Sequence, residues 1–183
     1  MKTHSIWLLV CLMLLSVQPG WTHGDEGGGV PQATLKKLFP AADSFVTRPL
    51  NLKPEQRKRI ETRLAEKLED HDLKASAYVA SSKGRSIGVA WSTDAHLKQG
   101  VVDVIVGLDL QGKVVGVALA HSPVPALGQS SYLNQYKQLT ARSEFREGKD
   151  LKSLPGQPGS AVVAKAAKKA AVVIDENFLG GKK

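Results

Sequence analysis

Cysteine is almost missing from this sequence, whose 183 residues hold one, Cys11. It lies within "IWLLVCLMLLSV", a run of about twelve apolar or small residues near the N-terminus. Lys2 and His4 precede the run and "QPGWTHG" follows it. A basic start, an apolar middle and a small-residue exit make the pattern of a secretory signal. Cleavage is expected after Gly24, with Gly20 as the alternative. The mature chain then has no thiol, which excludes disulfides, thiolate catalysis, cysteine-zinc sites and iron–sulfur clusters. The run also falls short of the roughly 20 apolar residues that span a bilayer, so no transmembrane segment is expected in the mature chain.

Aromatic residues make up only 5% of the chain, so its core is expected to be built from Val, Leu and Ala. Internal repeats are lacking. So are the G-x-S-x-G elbow, the Walker loop and the G-x-G-x-x-G fingerprint. His71, His96 and His121 stand singly, without metal-ligand spacing. The cluster Glu69, Asp70, His71 and Asp72 is read as a solvated loop rather than a metal site. No carboxylate pair is placed for acid–base work. No catalytic and no metal-binding residue is therefore expected, and hydrolysis is disfavoured.

Positive charge is plentiful. The formal net charge is +8, or +7 once Lys2 leaves with the signal. The basic residues are spread through helices and tails without interleaved aromatics, so nucleic acid is not the expected partner. A solvated basic surface, or attraction to an anionic ligand or membrane, fits better.

Along the chain, residues 1–24 are read as signal, 25–36 as a flexible leader, 37–176 as one domain and 177–183 as a basic tail. Pro40 ends a short helical stretch that starts near Thr34. "LKPEQRKRIETRLAEKL" reads as a helix with Pro54 at its first position and Ile60, Leu64 and Leu68 on one stripe; its charges read as a solvated face. From Lys74 the period changes to two. "ASAYVAS", "RSIGVAW", "VVDVIVGLDL" and "KVVGVALAH" read as strands joined by short turns. Val102, Val104, Val106 and Leu108 share one face, with Asp103 and Asp109 on the other. A Pro/Gly loop, "SPVPALGQS", leads to a short helix carrying Tyr132, Leu133 and Tyr136, then to a polar linker reaching Lys152. The last helix is predicted from Ser160 to about Ile174, with Val162, Val163, Ala166, Ala170 and Val173 inward and Lys165, Lys168 and Lys169 outward. The fold class is α+β: an antiparallel meander of about four strands packed with an N-terminal and a C-terminal helix.

The stretch "LPGQPGSAVV" opens that last helix. Free N–H groups and the helix dipole make such a start a seat for an anion. With "HSPVPALG" it reads either as a simple connection between elements or as one wall of a shared pocket at the end of the sheet, the residues alone favouring the connection.

The order "LFPAADSF", "LKPEQRKRIE", "GVAWSTDAHLKQGVVDVIVGLDLQGKVVGVALAHSPVPALGQSSYLNQY" resembles the FMN-binding domain family over roughly residues 37–175. Members occur in sodium-pumping NADH:quinone oxidoreductases, related membrane electron-transport complexes and small exported flavoproteins. "HSPVPALG" is similar to the family's S-E-T-P-G-L-G segment through Ser122, Pro125, Leu127 and Gly128, whereas Pro123 and Val124 depart from it. The resemblance implies an exported, periplasmic or secreted flavoprotein working with a redox protein or a membrane electron-transport complex. Covalent members esterify the flavin phosphate to a threonine before the last helix; here Pro158 stands in its place, and proline has no hydroxyl. The resemblance therefore implies noncovalent FMN, or a cofactor-free binding or scaffold module descended from such a domain. The cofactor-binding residues it points to are Pro125, Ala126, Leu127, Gly128 and Tyr132 for the ring, and Gly156, Gln157, Gly159, Ser160 and Lys165 for the phosphate.

Overall fold

The computed structural model describes residues 29–152 and 159–180. The signal, Cys11, and Pro155, Gly156, Gln157 and Pro158 lie outside the described residues. The chain is α+β, an open antiparallel sheet with helices on both faces. Its five strands are β1 (Ser44–Pro49), β2 (Ser76–Ser82), β3 (Arg85–Leu97), β4 (Gly100–Asp109) and β5 (Val114–Ala120). They lie side by side in chain order. The strand beyond the four read from the sequence is β1, which pairs with β2 from Ser44↔Ser81 to Pro49↔Ser76. It is an edge strand with almost every residue exposed, so no apolar alternation marked it, and a terminal proline is tolerated at an edge.

The turns account for the meander. Lys83 and Gly84 both take positive φ, 50° and 73°, the two-residue turn whose twist matches a hairpin. Asp109 closes the β4–β5 turn by accepting bonds from the N–H groups of Gln111 and Lys113, each 2.9 Å. The β3–β4 hairpin runs from Gly88↔Asp109 to Leu97↔Gly100, so β3 is longer than the "RSIGVAW" read from the sequence.

One face of the sheet presents Val89, Trp91, Val102, Val104, Val106 and Leu108 to the long helix α5 (Ser160–Phe178). Alanines 164, 166, 167, 170 and 171 of α5 are buried and let the helix lie close on the strands. Val162 is 39% exposed, correcting its assignment to the inner face. Lys168 and Lys169 are not solvated either. Lys168 donates to the carbonyls of Ala141 and Ser143, and Lys169 lies 2.8 Å from the buried Asp72 carboxylate. Burial first, and Arg63 second, hold the Lys168 ammonium pKa below the ordinary lysine value.

Helix α2 (Pro54–Leu64) starts at its proline as expected and ends at Ala65 in a left-handed cap. Leu68 follows the helix rather than continuing its stripe, yet is buried. The charged face of α2 is structural: Arg63 reaches Asp175 at 3.0 Å and Glu176 at 2.9 Å, and Arg59 reaches Glu176 at 2.9 Å. Glu176 is only 4% exposed, so these two arginines neutralise a carboxylate already withdrawn from water.

The opposite face carries the short helix α1 (Gln32–Leu38), which begins inside the stretch read as leader. Leu35, Leu38, Phe39 and Ala42 pack on Ala80, Ala90 and Ile105. A trough of strand glycines receives them. A Cβ on Gly88 or Gly107 would stand 2.4 or 3.0 Å from the Phe39 ring, and one on Gly116 would stand 2.9 Å from Leu38 Cδ2. Glycine within a strand marks a close approach of this kind.

Candidate functional site

Beyond β5 the chain makes a 3₁₀ turn (Pro125–Gly128), the one-turn helix α4 (Ser130–Leu133) and a second 3₁₀ turn (Asn134–Tyr136). This segment is amphipathic. Tyr132 and Tyr136, four residues apart, enter the large core. Ser130, Leu133, Asn134 and Lys137, spaced i, i+3, i+4 and i+7, face a cleft. The facing wall is α1 with Thr34, Lys37 and Leu38, and β5 runs beneath. The cleft has a volume of about 820 Å³, within the span of cofactor sites, roughly 300–1,000 Å³. Its floor is apolar, formed by Ile87, Val115, Ala118 and Leu119. Its charged lining is Lys37 and Lys137, with no Asp or Glu.

Of the described residues read from the sequence, the structure brings one to this cleft, Gly128, where an added Cβ would meet nothing within 4 Å. Pro125 and Ala126 belong to the same 3₁₀ turn. Leu127 is buried in the large core. Tyr132 is 2% exposed and forms no wall for a ring. It meets Tyr136 edge to face, ring centroids 5.6 Å apart at 88°, with the hydroxyls 2.7 Å apart. Its hydroxyl donates to the Ser160 carbonyl at 3.1 Å. That commits the Tyr132 proton, so Tyr136 is the donor within the pair. Burial pushes the pKa of both phenols up, Tyr136 most. Glu147 adds its charge to the same effect.

At the start of α5 the described residues Gly159 and Ser160 are closely packed. Gly159, at φ 108°, caps the helix, and a Cβ there would stand 2.8 Å from Leu97 Cδ2. Ser160 is buried. Lys165 pairs with Glu66, just past the end of α2. The described residues expected to seat a phosphate thus do not converge on the cleft. The segment after β5 named from the sequence borders the cleft, but the side that lines it is the i, i+3, i+4, i+7 set Ser130, Leu133, Asn134 and Lys137 rather than the tyrosine side. Lys37 and the three strand glycines carried the other missed signal.

The acidic cluster at His71 is not the solvated loop expected. It is the short helix α3 (Asp70–Lys74), and its Asp72 is 1% exposed. Asp72 accepts from Thr93 Oγ1 at 3.2 Å and from the Glu69 N–H at 3.0 Å, besides its pairing with Lys169. His121 lies at the end of β5 beside Asp103, Nδ1 to Oδ2 2.9 Å. Among the described residues no group of three or more His, Cys, Asp or Glu is arranged to hold a metal ion, and no helix is long and apolar enough to cross a membrane.

No protein-family model matches this chain, and no curated protein matches it.

Proposed function

We propose that the chain is an exported FMN-binding domain that takes part in electron transfer, with the flavin held noncovalently in the cleft between α1 and α4. One observation carries the reading: a cleft of flavin size with an apolar floor and a purely cationic charged lining. A planar, largely apolar ring with a charged tail matches that chemistry. Phe39, Pro40 and Leu133 supply apolar surface beside the floor, and Ser130 and Asn134 supply uncharged hydrogen-bonding groups. When bound, the flavin supplies the redox chemistry, and the protein supplies orientation and charge. This suits a chain without catalytic motifs. Its partner is a redox protein or a membrane electron-transport complex.

The test is the visible spectrum of the protein purified from its native host, before and after acid precipitation. Flavin absorbance that leaves with the supernatant is the expected result. No flavin, and no spectral change on adding FMN, rejects the reading. Gly128→Leu gives a local check, since open space surrounds the Cβ position. The side chain should fill the cleft mouth and abolish FMN binding while leaving the melting temperature unchanged.

A second reading, a cofactor-free binding or scaffold module, draws on Leu127 and Tyr132 being core residues. A flavin-free protein that co-purifies with a partner, and ignores added FMN, would favour it.

A further inference from the structure

We infer that Lys37 and Lys137 together hold the terminal phosphomonoester of the cleft's ligand, so that the cleft selects FMN over riboflavin. This rests on the flavin reading above and moves the phosphate away from the start of α5. The two ammonium groups come from different walls, Lys37 from α1 and Lys137 from the end of the second 3₁₀ turn. Both residues are exposed. Among the described residues neither has a side-chain hydrogen bond or an ion pair, whereas the adjacent Lys36 is held by the Ala42 carbonyl. No carboxylate lines the cleft to oppose a dianion. Of the described residues read as the alternative phosphate seat, Lys165 pairs with Glu66 and Ser160 is buried, and neither lines the cleft. Two lysines on a phosphate act as point charges with rotatable donors. Their attraction is partly screened, because the groups are open to water.

The experiment titrates the full mature chain with FMN and with riboflavin, following quenching of flavin fluorescence. It uses the unaltered protein, Lys37→Gln, Lys137→Gln and the double variant, with thermal melting to check folding. Each substitution should weaken FMN binding about tenfold, the effect of losing one charge-assisted contact, and leave riboflavin affinity where it was. The double variant should bind the two flavins alike. Raising salt should weaken FMN binding and spare riboflavin. Equal affinity for both flavins in the unaltered protein, or a phosphate preference that survives the double variant, overturns the lysine clamp and leaves the flavin reading standing. Binding of neither flavin overturns both.

Discussion

Gly88→Ala is the sharpest probe of how the cleft is built. The added methyl would stand 2.4 Å from the Leu108 carbonyl oxygen and 2.4 Å from Phe39 Cε1. The first obstacle is backbone of the neighbouring strand and cannot rotate away. The second is a ring that is itself buried on α1. Overpacking of a tight core costs about 1–3 kcal/mol, and a double clash belongs at the upper end. Removing glycine also stiffens the unfolded chain, which returns about 0.4–1 kcal/mol. The net loss is then about 2 kcal/mol, or about 4–8 °C in melting temperature for a chain of this size. Differential scanning calorimetry measures it. Phe39→Leu combined with Gly88→Ala should recover part of the loss beyond additivity, since it removes one clash and leaves the other. If Gly88→Ala melts within about 1 °C of the unaltered protein, the trough does not hold α1, and the cleft wall has another origin.

The tyrosine pair predicts alkaline sensitivity. The folded phenols keep their protons above the ordinary tyrosine value of 10.0, while those of the unfolded chain lose them. The folded state then binds more protons, so stability is full below pH 10 and falls above it, by about 1.4 kcal/mol per pH unit for each tyrosine that stays protonated. Urea unfolding between pH 9 and 11 measures the slope, and Tyr132→Phe with Tyr136→Phe should flatten it; an unchanged slope refutes the assignment. Asp72→Asn should destabilise by about 3–5 kcal/mol by stranding a nearly buried ammonium, because Lys169 is only 12% exposed. A loss under about 1 kcal/mol in chemical denaturation would mean that Lys169 finds water instead.

The strands that wrote themselves into the sequence were those whose larger apolar side chains fall on one side of the sheet, the side under α1 holding small residues such as Ala80, Ala90 and Gly107 beside Ile105. Val102, Val104, Val106 and Leu108 alternate because α5 covers only their side of the sheet, and the sequence therefore carried four of the five strands. β1 left no such trace, since an edge strand that packs little beyond Phe45 needs no alternating apolar pattern. The two Lys residues of α5 misread as outward illustrate a different limit. A long side chain can start at a helix flank and end on a buried partner, here Asp72 or the carbonyls of the 141–143 turn. The candidate site was legible as a segment but not as a surface. Pro125–Gly128 and Tyr132 marked the right stretch, yet which side of one helical turn meets the cleft depends on where α1 docks, and that depends on glycines in three separate strands.

The meander has a bearing on how the polypeptide matures. From β2 to β5 each strand pairs with its immediate predecessor across a short turn, so that part of the sheet can assemble hairpin by hairpin with little loop closure to wait for. Its apolar side, however, finds its cover in a segment that begins at residue 160 of 183. A nascent or truncated chain lacking that segment presents the apolar side of β2 to β5 to its surroundings, the sort of surface that chaperones capture and that aggregates grow from. Completion of the last helix is the moment at which this molecule ceases to be sticky.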